Sequence, residues 1–290
     1  YALVALGYTM VYGILGLINF AHGEVVMIGA LTALTVIKLL ADSGLPGTVV
    51  VLIGLLAAVP VCMALGFTIE RIAYRPLRNA PRLAPLITAI GVSIVLQQLA
   101  MIFWGRNYHA FPPILPTSSR EIGGAHITDV QIVIILLAVA IMAGLMLLVN
   151  RTRLGRAMRA TAENPQIAGL MGVNINVIIS ATFLIGSALA AVAGVMVSAN
   201  YSIAHYHMGF ILGLKAFTAA VLGGIGNLPG AMLGGVLLGL IESLGAGYIG
   251  DLTGGFLGSH YQDVFAFFVL ILVLVFRPSG LMGEKVAERA

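Results

Sequence analysis

The sequence has little charge. Of its 290 residues, 15 are Lys or Arg and 11 are Asp or Glu, so charged side chains make up 9% of the chain, against roughly 25% in a soluble domain. A water-soluble fold of this size needs a polar skin that so few charges cannot supply, which excludes a soluble enzyme, a disordered chain and a nucleic-acid-binding domain. Cysteine is scarcer still. Cys62 stands alone in an apolar run, leaving no disulfide framework and no thiolate metal site. His205-Tyr-His207 brings two imidazoles with no third ligand nearby, so no metal is expected. An ATP-binding loop is missing as well: it requires Gly-Lys-Ser/Thr, and Lys38, Lys215 and Lys285 do not follow a Gly. The chain opens on Tyr within an apolar run, so the first helix is expected to be truncated and no signal peptide can be read.

What is present is apolar and small. Hydrophobic residues reach 60%, Gly numbers 36 and the mean hydropathy is +1.05. A bilayer-crossing helix needs about 20 predominantly apolar residues. Stretches 43–69, 83–105, 130–150 and 216–241 are free of charge, as is the long stretch 164–214, and 264–276 is short but dense. Stretches 1–18 and 25–37 form two further segments around Asn19-Phe-Ala-His22-Gly-Glu24. No run alternates with period two, so spanning strands are excluded. The expectation is an all-α integral membrane protein of about eight to nine helical segments, with broken helices near residues 19–24 and 223–230, forming a single transmembrane domain over 1–290.

Orientation follows the basic residues. Arg71, Arg75, Arg78 and Arg82 share one short connection and Arg151, Arg153, Arg156 and Arg159 another; short basic loops stay cytoplasmic. Residues 106–128, with Pro112, Pro113 and Pro116, then lie outside. The chain turns outside again near Tyr201 and Gly247, and inside near Gly226 and Arg277, and the tail Glu284–Arg289 ends in the cytoplasm.

The stretch 151–176 carries the most information. Residues 157–162 favour helix, Pro165 suits the first turn of a second helix, and Gly172 can close that helix in a left-handed conformation. Two short helices at a turn form a knob that protrudes from the membrane, either an ordinary basic loop or a docking element. Ionisable residues in apolar surroundings are the second signal, because an ionised group at the bilayer centre costs about 2.5 to 3.5 kcal/mol on insertion scales. Lys215, read as opening an inward helix, and Glu242, on the returning one, are expected at similar depth as an ion pair, with separate snorkelling as the alternative. Asn19, His22 and Glu24 fall at the first polar break and Gln97 and Gln98 within a span, as capping and packing residues or as the lining of a translocation path. His22 and Glu24, two apart, do not share a helix face. Gly223-Gly-Ile-Gly-Asn-Leu-Pro-Gly230 reads as a re-entrant turn or tight hairpin. Met27-Ile-Gly-Ala and Met232-Leu-Gly-Gly, each after a break, faintly echo an internal repeat. Small residues 186–194 allow close helix approach.

Several blocks together resemble the permease subunits of bacterial ABC importers for branched-chain amino acids, specifically the H-type permease: Ala5-Leu-Gly-Tyr-Thr-Met-Val-Tyr-Gly13, Ile18-Asn-Phe-Ala-His-Gly-Glu24, Glu70-Arg-Ile-Ala-Tyr-Arg-Pro-Leu-Arg78, the 156–174 loop, and Lys215-Ala-Phe-Thr-Ala-Ala-Val-Leu-Gly-Gly-Ile-Gly-Asn-Leu-Pro-Gly-Ala231. The resemblance implies a subunit without its own catalysis in the bacterial inner membrane. It would work with a homologous M-type permease, two cytoplasmic ATPases that use ATP and Mg, and a periplasmic binding protein. It further implies an ATPase-coupling motif over Gly155, Arg159, Ala160, Ala162, Glu163, Asn164, Ala168, Gly172 and Asn174, although Arg159-Ala-Thr-Ala-Glu163 replaces the usual Glu-Ala-Ala. Importers of urea or short amides have related permeases, and an ion-coupled secondary transporter is the reading from a different class.

Overall fold

The computed structural model describes residues 1–78, 80–81, 83–112, 119–122, 125–254 and 261–283. Arg82, Pro113, Pro116 and the tail 284–289, which figure in the sequence reading, lie outside the described residues. Eleven α-helices are described: α1 (Ala2–Leu15), α2 (His22–Leu39), α3 (Gly47–Ile69), α4 (Leu83–Trp104), α5 (Asp129–Arg151), α6 (Arg153–Glu163), α7 (Pro165–Leu170), α8 (Ile175–Tyr201), α9 (Met208–Gly223), α10 (Leu228–Leu252) and α11 (Gln262–Phe276). By length and composition, α2, α3, α4, α5, α8 and α10 can cross a membrane, while α1, α9 and α11 are shorter apolar helices. These nine form the body, and α6 and α7 are the two short helices expected between residues 151 and 176.

Alternate connections meet at the same ends. At the basic end Arg78 bonds Asn176 at 2.6 Å, and the Tyr74 hydroxyl, beyond α3, lies 3.2 Å from both the Ile18 carbonyl and Asn19 Oδ1. The Leu281 and Met282 N–H groups donate to the carbonyls of Leu222 and Gly223. At the far end two short strands, β1 (His109–Ala110) and β4 (Ile203–Ala204), pair antiparallel, and a hairpin of β2 (Ser119–Ile122) and β3 (Ala125–Thr128) precedes α5. These strands depart from an all-α reading only in connections, where water is available to their open edges.

Helix α8 is the hub, and small residues make it so. Gly66 of α3 sits against Ser187, Gly29 of α2 against Ala191, and Gly194 against the Val26 carbonyl, each too close for a β-carbon. Without a hydrophobic drive between helices in lipid, this backbone approach is what lets dispersion hold them together. Cys62 is buried in the same seam, with Sγ 3.4 Å from the Val25 carbonyl.

The two breaks differ in kind. Between α9 and α10 the chain turns tightly through Gly224 and Gly226, both at positive φ, and Asn227 caps α10 by accepting from the Gly230 N–H at 2.9 Å. This is a hairpin. Between α1 and α2, by contrast, His22 packs on Gly7, eight residues before the end of α1, or about 12 Å back along its axis at 1.5 Å per residue. Residues 16–21 therefore climb back inside the helical layer, and α2 begins part-way through it.

Candidate functional site

The knob is built by caps. Thr152 accepts from the Gly155 N–H at 3.0 Å and opens α6. Asn164 ends α6 and opens α7, its Oδ1 accepting from the Gln166 and Ile167 N–H groups at 3.0 and 3.1 Å, with Pro165 at the first helical position. Gly172, at φ +84°, reverses the chain, and Asn174 caps α8 through the Val177 N–H at 3.3 Å. Each cap is worth about 1 kcal/mol, and one satisfied donor follows another through the stretch. Helix α6 lies on the body by Gly155, Met158 and Thr161. Gly155 presses on the Leu148 and Val149 carbonyls, and Arg159 donates to the Val149 carbonyl. Ala168 is buried, whereas Arg159, Ala160, Ala162, Glu163 and Gly172 are exposed.

The expected coupling residues thus divide into those that shape the turns and packing (Gly155, Asn164, Ala168, Gly172 and Asn174) and those exposed on α6 (Arg159, Ala160, Ala162 and Glu163). The sequence reading missed the apolar tip. Leu170 is 87% exposed, Met171 80% and Ile167 58%, three large apolar side chains on the basic end that no described residue covers. In an apolar-rich sequence such residues read as core; only the shortness of α7 hinted that they had nothing to pack against.

The sequence profile of the family described as "Branched-chain amino acid transport system / permease component" matches residues 1–274. The chain belongs to this family. It is 49% identical to the high-affinity branched-chain amino acid transport system permease protein BraD of Pseudomonas aeruginosa, over all of this chain and 93% of that protein. Identity to the Escherichia coli K12 permease protein LivH is 44% with the same coverage. An autoinducer 2 import system permease protein, LsrC of Yersinia enterocolitica, is 30% identical over 67% of this chain and 53% of its own length. No solved structure matches the chain significantly. The chain is a multi-pass membrane protein of a permease-subunit family, as its composition and helices require.

The buried polar residues of this permease fall into separate groups. Glu24, fully buried, accepts from Ser93 Oγ at 3.0 Å and Gln97 Nε2 at 2.7 Å across α4. Its neighbour His22 points the other way, wedged on Gly7 with its ring 5.0 Å from that of Tyr8. Asn19 folds the break itself, accepting from the Ala21 N–H at 3.2 Å. Gln98, next to Gln97, faces outward. Of the five residues weighed as path lining, Asn19, His22, Glu24 and Gln97 are buried and Gln98 is exposed. A space of about 190 Å³ beside the break is lined by Gly16, Leu17, Ile18, Leu83 and Leu86.

Lys215 lies 2.6 Å from Glu242 and 2.7 Å from Asp263. It is the eighth residue of α9 rather than its start, and the pair forms because the flexible lysine stem carries its ammonium to the other helices. Asp263, at the start of α11, was not anticipated. A further group closes the basic end: Glu70 pairs with Arg78 and accepts from Ser180 Oγ at 2.8 Å. Burial lowers the Arg78 guanidinium from its ordinary value, and the Glu70 carboxylate opposes that shift.

Proposed function

We propose that this chain is a permease subunit of an ABC importer that moves leucine, isoleucine and valine inward across the bacterial inner membrane. Separate ATPase subunits, which bind ATP and Mg, supply the energy; this chain binds no cofactor of its own. The observation that carries the reading is the apolar tip of Ile167, Leu170 and Met171 on a capped, protruding helix pair. A rigid knob with an uncovered apolar tip suits a groove on a soluble partner and transmits that partner's motion to α5 and α8, the spans it joins. The names of the relatives BraD and LivH support the cargo.

In this reading two ATPases dock on 151–176, one on this chain and one on a homologous M-type permease, and a periplasmic binding protein delivers the amino acid from the far end. The path runs between the two permeases. Gln98 is the path candidate on the outer surface of this chain, while Asn19, His22, Glu24 and Gln97 hold α1, α2 and α4 in place behind it. A zwitterion with an apolar side chain passes such a wall without being held, and discrimination belongs to the binding protein.

The test is uptake of labelled leucine into proteoliposomes that contain this chain, the second permease, the ATPases and binding protein. We expect ATP-dependent uptake that falls at least tenfold with Leu170→Lys and Met171→Lys together, along with loss of ATPase co-purification. Uptake by this chain alone on an ion gradient, or urea transported in preference to leucine, overturns the reading.

A further inference from the structure

The basic end holds a pocket that the transport reading leaves unused. Between the end of α3 and the start of α8 lies a cavity of about 440 Å³, lined by Arg71 and Arg75 on one side, Asn176 on another, and Phe67, Ala181 and Leu184 toward the membrane body. Two guanidinium groups share this opening because Arg71 and Arg75 stand four apart, about one helical turn, and a local irregularity marks the segment. Residues Glu70–Tyr74 form a π-helical turn, closed by the Arg75 N–H on the Glu70 carbonyl. A turn wider than an α-turn brings residues four and five apart nearly above one another, so Arg71 and Arg75 reach the same space. Such π-turns are concentrated at functional sites.

The charge balance is local and one-sided. Glu70, the carboxylate nearest to these arginines in sequence, is fully buried and already engaged by Arg78 and Ser180. Arg78 in turn is held by Asn176 at 2.6 Å. Arg71 and Arg75 make no ion pair among the described residues. The pocket therefore presents two cations that no described carboxylate pairs with, above an apolar floor, at the end of the molecule where short basic connections meet the cytoplasmic leaflet.

We infer that this pocket binds the phosphate headgroup of an anionic glycerophospholipid. Arg71 and Arg75 bind the phosphodiester, for which paired guanidinium donors are geometrically suited, and an acyl chain runs over Phe67 and Leu184. Basic pockets between membrane helices on the cytoplasmic side recognise anionic lipid headgroups in this manner. A free phosphate shares the charge but has no use for the apolar floor, and that difference selects the lipid. An occupant here would bridge α3 to α8, whose first turn emerges from the knob at Asn174, so the lipid would steady the knob's attachment to the body.

The experiment quantifies by mass spectrometry the lipid retained on the purified full chain after incubation in mixed micelles of either phosphatidylglycerol or phosphatidylcholine. Phosphatidylglycerol should be retained and phosphatidylcholine not. Arg71→Gln with Arg75→Gln should lower retention at least fivefold. Ala181→Trp, which fills the cavity and keeps both charges, should do the same, and so guards against a folding defect in the double variant. Arg277→Gln, which removes a cation from the same end outside the pocket, should leave retention unchanged, and millimolar inorganic phosphate should not displace the lipid. Equal retention of the two lipids, unchanged retention in both pocket variants, loss with Arg277→Gln, or full displacement by phosphate each overturns the proposal.

Discussion

Helices α2 and α5 are both apolar and both long enough to cross a bilayer, yet their surroundings are opposite. Twelve of the 18 residues of α2 are buried, among them His22, Glu24 and glycines that touch neighbouring backbone. Helix α5 buries Leu145 and no other of its 23 residues, although its window is the most hydrophobic of the six spans. In water the most apolar helix would be the most buried. In lipid the preference inverts: bulky apolar side chains face the acyl chains, and small or polar residues turn inward, where backbone approach and internal hydrogen bonds reward them. The interior of this permease is thus the less greasy part of it.

The sharpest way to break that contrast is to add bulk where the interior depends on its absence. A β-carbon at Gly194 would meet the Val26 carbonyl and lie 3.0 Å from the Ala30 nitrogen, backbone atoms that cannot rotate away. Overpacking typically costs 1 to 3 kcal/mol and occasionally more. Because Gly194→Leu must push α2 bodily off α8, we expect about 3 kcal/mol or more. The readout is the yield of monodisperse protein and its thermal unfolding in detergent. A variant that melts like the parent would show that α8 is not the hub described above.

A smaller effect is expected at the interior's charged cluster. Lys215 is 12% exposed and Glu242 11%, and Lys215 holds Asp263 as well. Removing one member of a buried ion pair costs about 3 to 5 kcal/mol; partial access to water reduces this, so Lys215→Met should cost about 2 to 3 kcal/mol. Glu242→Gln should cost only about 1 kcal/mol, because Lys215 keeps Asp263 and two neighbouring carboxylates no longer repel. Chemical denaturation of both variants checks the asymmetry. Equal losses would mean that Asp263 contributes nothing.

What could be read from the sequence follows the same division. The spans, the Arg-rich end, the helix start at Pro165 and the helix end at Gly172 were legible because each rests on neighbours in the chain: runs without charge, a Pro suited to a first turn, a Gly at a helix end. The partners of Glu24 were not, since Ser93 and Gln97 lie some 70 residues away and meet it only once α4 leans on α2. Asp263 was hidden from Lys215 for the same reason. The exposed tip at Leu170 and Met171 was invisible for another: in so apolar a sequence, hydrophobicity does not tell a side chain facing lipid or a partner from one in the core. The climb of residues 16–21 back into the layer needed the contact between His22 and Gly7. The polar letters alone fitted a loop or a kink equally well.

The weakest expected effect completes the comparison from the α5 side. Gly144 has open space where its β-carbon would stand, with no described atom beyond its own helical turn and chain neighbours within 4 Å. Gly144→Leu adds to the outer face of α5 the type of side chain that face already carries, and leucine favours helix over glycine by up to about 1 kcal/mol. Thermal stability of the isolated chain should stay level or rise slightly. The informative arm is the same variant with the proposed second permease present. If α5 faces only lipid, assembly and uptake also stay level. Should the isolated chain keep its stability while assembly fails, α5 is a contact for the second permease, and the exposed face is a partner surface rather than a lipid one. A loss of stability in the isolated chain would contradict the contrast itself, because the same glycine-to-leucine change would then be harmful on the outside of the bundle as well as within it.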